Sequence, residues 1–142
     1  MTSSPLDNLV RIRQLKAEPP AQAEFDGLVR LGRVRLKDAE NTSLELESRF
    51  DLAYNAAHAL SLAALRWHGY RSENRYTVFQ TLPHTLNLDA AEWRILDKAH
   101  SKRNVAEYEG DLEVDEALVS AIIRVARTVA ERVTALGPVP QE

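Results

Sequence analysis

Apolar side chains recur at helical spacing along two stripes between residues 46 and 67, and this segment limits the fold more than any other. One stripe contains Leu46, Phe50, Ala53, Tyr54, Ala57, Ala64 and Leu65, and the other contains Leu52, Ala56, Ala59, Leu60, Ala63 and Trp67. A helix that is apolar on nearly all sides packs against neighbours on more than one face. The sequence therefore predicts a central helix that ends at Gly69 and around which the rest of the chain folds.

Helical periodicity also describes the other segments, and none shows the alternation and turn dipeptide of a β-hairpin. Ser4 and Pro5 resemble the N-cap and first position of a helix that ends before Pro19. Thr42 and Glu45 fit a capping box for the central helix. The remaining helices are predicted at residues 22–40, 77–86 (interrupted near Pro83) and 90–108, with a loop at 70–76. A last helix is predicted to begin among the acidic residues at 111–116 and to end at Gly137.

These elements predict one all-α domain over residues 1–142. We expect an antiparallel up-and-down helical bundle with a core at 21–137, an N-terminal helical extension at 1–20 and no β-sheet. The apolar surface around the helix at 43–68 exceeds what one small bundle covers. The sequence therefore also predicts a homodimer with two-fold symmetry.

The composition excludes several chemistries. The 142 residues include no cysteine, which excludes disulfides, zinc–thiolate sites and thiol catalysis. The net charge is -3, so contact with nucleic acid must come from a local basic cluster. The first residues lack the features of a secretory leader, and no apolar run approaches the roughly 20 residues that span a bilayer. We expect a cytoplasmic protein without membrane contact and, because no metal-ligand spacing occurs, without metal or cofactor.

The most polar stretch inside a strongly predicted helix is residues 98–110. Lys98 and Lys102 are spaced i, i+4 and share one face, and Arg103 lies beside it. The simplest interpretation is a solvated surface on which Arg103 pairs with Glu107. Asn104, however, is unfavourable inside a helix unless its amide has a partner. Composition alone names no function for this stretch.

Residues 103–110, which read RNVAEYEG, resemble the motif segment of the HEPN family, the higher-eukaryote and prokaryote nucleotide-binding domains. Residues 49–58, which read RFDLAYNAAH, are similar to the family's second core helix. Gly69 and the short helix at 77–80 fit the family's order, so the similarity covers residues 22–136. It implies an all-α bundle that dimerises, related to metal-independent ribonucleases and to HepT-like toxins, which often act beside a minimal nucleotidyltransferase.

In the family's signature, an arginine and a polar residue are followed a few positions later by a histidine. Arg103 and Asn104 match the first two positions, and Tyr108 stands where the resemblance implies histidine. The resemblance thus implies a catalytic set of Arg103 as phosphate contact, held by Asn104 and Tyr108, in a cleft between two protomers. A phenol with a pKa of about 10 is a poor base at neutral pH, so we expect attenuated or absent ribonuclease activity.

The residues predicted to bind substrate are Lys98, His100, Lys102 and Asn55. His100 precedes Arg103 by three positions on the same side of the helix. It is the best replacement for the missing histidine, and the alternative is a partly exposed polar residue. Asn55 reaches Arg103 or Asn104 if the central helix passes near them, and is otherwise a helix-surface amide; Tyr54 beside it is assigned to the core. Trp67 and Trp93 are able to stack nucleobases, although core or dimer packing is the commoner role.

Two functions follow from these patterns. The first is a HEPN-like component of a toxin–antitoxin system that binds or cleaves RNA, or binds a nucleotide, without a metal. Its expected partner is an antitoxin or a minimal nucleotidyltransferase. The alternative is a non-catalytic interaction or adaptor module that kept the scaffold and lost the histidine, which the negative net charge and Tyr108 favour.

Overall fold

The computed structural model describes residues 4–141. Within this range the elements are α1 (Ser4–Arg11), β1 (Lys16–Ala17), α2 (Gln22–Ala39), α3 (Leu46–Trp67), β2 (Tyr70–Arg71), α4 (Arg75–Gln80), α5 (Leu82–Thr85), α6 (Ala90–Glu109) and α7 (Glu116–Ala135). Helices contain well over half of the described residues, which confirms the all-α prediction. None of the helices in this range is long and apolar enough to cross a membrane.

The central helix α3 packs most extensively against α2 and α7 and also contacts α4, α5 and α6. The side chains that it contributes to the main core are Phe50, Ala53, Tyr54, Ala56, Ala57, Leu60, Ala63 and Ala64. The many alanines let the neighbouring helices approach α3 from several directions. Because the chain itself covers this surface, apolar area around α3 is no argument for a homodimer, and the homodimer stays a prediction.

Helices α2 and α3 approach each other closely where Gly32 meets Leu60. A Cβ atom at position 32 would overlap the branched end of Leu60, 2.8 Å from its Cδ2 atom, and Leu60 is fully buried. Gly27 lies in the same helix, but a Cβ atom added there would meet open space. Of the two glycines in α2, Gly32 is therefore the one whose missing side chain the packing requires.

The first prediction compares these two glycines. Gly32→Ala should lower the free energy of unfolding by about 1–3 kcal/mol, because Leu60 cannot move away without overpacking the core. Gly27→Ala is the matched control and should raise the free energy of unfolding by about 0.5–1 kcal/mol through better helix propensity. Urea denaturation measures both effects. Adding Leu60→Ala to Gly32→Ala should give less than the sum of the two single losses, and additive losses would contradict the close approach.

A second, smaller core holds the N-terminal residues against the end of α3. It is formed by Leu6, Leu15, Leu65, Tyr70 and Val78. Strand β1 pairs antiparallel with β2, with Lys16 opposite Arg71 and Ala17 opposite Tyr70. This ribbon corrects the expectation of no β-sheet and replaces part of the loop predicted at 70–76. Strands of two residues are too short to show alternation, so periodicity does not reveal them.

Helix α3 begins later than the sequence predicts. Its first residue is Leu46, and Glu45 takes the N-cap position without a side-chain hydrogen bond, so the predicted capping box at Thr42 is wrong. Instead, Oδ1 of Asn41 accepts hydrogen bonds from the backbone N and the Oγ of Ser43. An asparagine that bonds the residue two positions later forms a local turn, and this turn replaces the expected helix start.

Candidate functional site

Basic and aromatic side chains from three helices meet on one side of α6. Helix α6 supplies His100 and Arg103, α3 supplies Tyr54, and α4 supplies Arg75; these four side chains are called the His100 cluster below. Arg75 is the first residue of α4 because Asn74 caps that helix, its Oδ1 accepting a hydrogen bond from the Thr77 backbone N. The cluster therefore forms only when α3, α4 and α6 pack together.

Tyr54 and Asn104 hold the two nitrogens of the His100 ring. The hydroxyl of the fully buried Tyr54 lies 2.9 Å from Nδ1 of His100. On the opposite side of the ring, Nε2 lies 3.2 Å from Nδ2 of the exposed Asn104. An amide nitrogen only donates, so in this arrangement Nε2 keeps the lone pair and Nδ1 donates its proton to the Tyr54 oxygen. The basic nitrogen therefore faces the exposed side of the cluster.

Two guanidinium groups lie against the ring of Tyr54. The ring centroid is 5.0 Å from Cζ of Arg103 and 5.5 Å from Cζ of Arg75, within the range of cation–π attraction. Arg75 also donates from Nη1 to Oδ1 of Asn55 at 2.9 Å, and Arg103 forms an ion pair with Glu107 at 3.4 Å. Nη1 of Arg103 is buried and has no hydrogen-bond acceptor among the described residues.

The surroundings keep His100 and Tyr54 neutral. Burial lowers the pKa of His100 below its ordinary value of 6.5; Arg75 and Arg103 act in the same direction, and the carboxylates of Asp97 and Glu107 oppose them. Burial raises the pKa of Tyr54 above its ordinary value of 10.0, although both arginines oppose the shift. At pH 7 the cluster therefore combines a neutral imidazole, a neutral phenol and two permanent cations.

A second imidazole, that of His58, lies one turn farther along α3. Its ring packs edge-on against Phe79, with the ring centroids 6.0 Å apart. Burial lowers the pKa of His58 to about 4, and the nearby charges of Arg35, Arg75 and Arg103 act in the same direction. His58 therefore stays neutral near pH 7 and serves in packing.

The structure brings together some of the predicted site residues. His100 and Arg103 belong to the cluster, and Asn104 contacts it through Nε2 of His100. Asn55 reaches it through Arg75, whereas the sequence predicts contact with Arg103 or Asn104. The replacement histidine proposed from the sequence is thus the one that lies beside Arg103.

Three predicted residues lie outside the His100 cluster. Tyr108 is 89% exposed, and a step of five residues along a helix turns by about 140°, which places it away from Arg103. Its catalytic role stays a prediction that needs a second protomer. Lys98 and Lys102 border a separate cavity of about 340 Å³, whose other lining residues are Ser101, Val105, Glu109, Asp111 and Glu113. The three carboxylates there offset the two ammonium groups.

Sequence reasoning missed Arg75 and the polar role of Tyr54. Arg75 falls in the segment predicted as a loop, and the signal that locates it is Asn74, a preferred N-cap residue. Tyr54 is a core residue as predicted, yet its hydroxyl reaches the edge of the core and bonds His100. An apolar stripe in the sequence predicts that a tyrosine ring is buried, but it does not predict which polar group the tyrosine hydroxyl contacts.

Comparison with known proteins identifies no relative. No family model matches the chain, and no curated protein or solved structure is significantly similar to it. Among residues 4–141, no group of three or more histidine, aspartate or glutamate side chains is placed to hold a metal ion.

Proposed function

We propose that the His100 cluster binds RNA and cleaves its backbone without a metal ion. The observation that carries this proposal is the setting of His100: Tyr54 holds Nδ1, and Nε2 faces the exposed Asn104. RNA carries its own nucleophile, the ribose 2′-hydroxyl. A base for that hydroxyl and a cation for the phosphate are the main parts that such a cleavage needs.

The proposed reaction assigns one task to each side chain. The exposed amide of Asn104 first turns away from Nε2 of His100, which frees the lone pair of that nitrogen. Nε2 then takes the proton of the 2′-hydroxyl, and the 2′-oxygen attacks the adjacent phosphorus. The 2′-O–P bond forms as the P–5′-O bond breaks, which leaves a 2′,3′-cyclic phosphate and a 5′-oxygen that takes a proton from water. Arg103 and Arg75 bind the non-bridging oxygens and stabilise their charge in the transition state. The imidazolium then returns its proton to solvent.

The resemblance to the HEPN family supports the same assignment. Arg103 and Asn104 match its signature, and His100 supplies an imidazole beside them although Tyr108 stands at the usual position. The proposal therefore extends to a cytoplasmic toxin-type component with an up-and-down bundle, neutralised by an antitoxin or a minimal nucleotidyltransferase. Burial lowers the pKa of His100 below its ordinary value, so the neutral form that can take up a proton is favoured at neutral pH.

A homodimer is part of this proposal. Val105 and Tyr108 are large apolar side chains that α6 leaves exposed near its C-terminal end. A second copy that packs on this end would cover both of them. It would also bring its own Tyr108 toward the cleft, as the family resemblance implies.

The second prediction tests the proposed cleavage. Wild-type protein should cut a single-stranded oligoribonucleotide in the presence of EDTA and leave a 2′,3′-cyclic phosphate. Arg103→Ala should lower the rate about a hundredfold, because a positioned donor to the transition-state charge is lost. Arg30→Ala removes the same charge from an exposed position of α2 and is the matched control, expected to change the rate less than about threefold. Gel analysis of the products measures both rates.

Two results would contradict the proposal. Equal losses in Arg103→Ala and Arg30→Ala would show that general charge, and not the cluster, governs the rate. Absence of cleavage by wild-type protein that is correctly folded by circular dichroism would favour the non-catalytic interaction module.

A further inference from the structure

The aromatic residue Tyr76 stands next to the His100 cluster and is 40% exposed. It follows Arg75 directly on α4. Its ring centroid lies 6.2 Å from that of His100 and 6.2 Å from that of Trp93. The Tyr76 and Trp93 rings meet at an interplanar angle of 63°, an edge-to-face contact that braces the tyrosine from α6.

A single exposed aromatic side chain is common on protein surfaces, so exposure alone assigns no role to Tyr76. Its position is what distinguishes it. Arg75, the next residue in the chain, carries a guanidinium suited to bind phosphate, and the adjacent His100 is the base of the proposed reaction. A flat ligand stacked on Tyr76 would therefore carry any phosphate attached to it toward those two groups. Among phosphate-bearing chains, nucleic acids have such flat groups, and every base offers a face for stacking.

We infer that Tyr76, braced by Trp93, stacks one unpaired nucleobase next to the phosphate bound by Arg75 and Arg103. This inference rests on the proposed function and adds a substrate class to it: single-stranded RNA. In a duplex the faces of a base are covered by its neighbours in the stack, so a protein side chain reaches them only after unstacking. The site should therefore discriminate against paired RNA without reading sequence.

The third prediction measures binding in the absence of cleavage. The probe is a fluorescein-labelled 2′-O-methyl oligoribonucleotide, which lacks the 2′-hydroxyl nucleophile. Tyr76→Ala should raise its Kd about tenfold to a hundredfold, and Tyr76→Phe, which keeps the ring, should change it less than about threefold. Leu31→Ala removes a large apolar side chain that is 44% exposed on α2, outside the His100 cluster, and is the matched control. The same strand annealed to its complement should bind at least about tenfold more weakly to the wild type.

A set of probes with one abasic position each provides a second measurement. One abasic position should weaken binding to the wild type and have little effect on Tyr76→Ala, because the stacking contact is already missing there. Equal affinity for single strand and duplex, or unchanged affinity in Tyr76→Ala, would overturn the inference. If Tyr76→Ala still cleaves at the wild-type rate while Arg103→Ala does not, the proposed function stands and the stacking site fails. If Tyr76 governs binding but the wild type cleaves nothing, only the catalytic proposal fails.

Discussion

Replacing His100 with glutamine should lower the rate of RNA cleavage by a factor of about 10² to 10⁴, the usual contribution of a general base. Glutamine keeps polar atoms near Tyr54 and Asn104, so the local hydrogen bonds and the fold should survive. What it lacks is a nitrogen that accepts a proton near neutral pH. His84→Gln is the matched control, because His84 is exposed and belongs to α5, outside the cluster. Single-turnover cleavage assays measure the change.

The pH profile identifies the base independently of the size of the loss. Burial lowers the pKa of His100 below 6.5, so the neutral, basic form is already dominant at pH 7. The rate should therefore fall as the pH drops through a midpoint below 6.5 and should be level above it. A midpoint near the pKa of a phenol, about 10, would instead identify a tyrosine as the base. An unchanged rate in His100→Gln would remove His100 from the reaction.

The fold class could be predicted because buried helices impose a long-range pattern. Two apolar stripes along one segment require a central helix, and α3 is that helix. The β1–β2 ribbon and the start of α3 could not be predicted in the same way. Both depend on interactions between a few neighbouring residues, such as the turn formed by Asn41 and Ser43. Such local interactions compete closely with a helix start at the same residues.

The candidate site was only partly predictable for a different reason. His100, Arg103 and Asn104 share one helix, so their common side follows from spacing alone. Arg75 and Tyr54 join them from α4 and α3, and the sequence carries no signal for which residues of separate helices meet. Tyr54 and His100 lie 46 residues apart in the chain, so their spacing does not predict the hydrogen bond between the Tyr54 hydroxyl and Nδ1 of His100.

The N-terminal segment is fastened to the bundle by one buried arginine. Arg66, in the last turn of α3, has a side chain that is only 2% exposed. Its Nε donates to Oε1 of Glu24 at 2.7 Å, and Nη2 donates to the backbone oxygen of Pro19 at 2.7 Å. Nη1 donates to the backbone oxygens of Glu18 at 2.9 Å and Tyr70 at 3.3 Å. One guanidinium thus joins α2, the residues after β1 and strand β2.

Arg66→Met should therefore lower the free energy of unfolding by about 3–5 kcal/mol, the range for removing one member of a buried ionic group. The carbonyl oxygens of Glu18, Pro19 and Tyr70 would each lose the hydrogen bond from Arg66, and methionine offers no donor in its place. Arg71→Met is the matched control, because Arg71 pairs with the same carboxylates of Glu18 and Glu24 from a side chain that is 30% exposed. Water replaces much of that contact, so a loss of about 1 kcal/mol or less is expected.

Urea denaturation of the two variants at low salt separates the contribution of the buried hydrogen bonds from that of charge, because urea does not screen the ion pairs. Both substitutions remove one positive charge from the same carboxylates, so equal losses would mean that the ion pairs alone matter and that the backbone contacts of Arg66 contribute nothing. A much larger loss of unfolding free energy in Arg66→Met than in Arg71→Met would show that the buried hydrogen bonds donated by Arg66 stabilise the fold. Because Arg66 lies far along α3 from Tyr54, RNA cleavage by the folded fraction of Arg66→Met should equal that of the wild type. A loss of cleavage in fully folded Arg66→Met would show that the N-terminal segment also positions the His100 cluster.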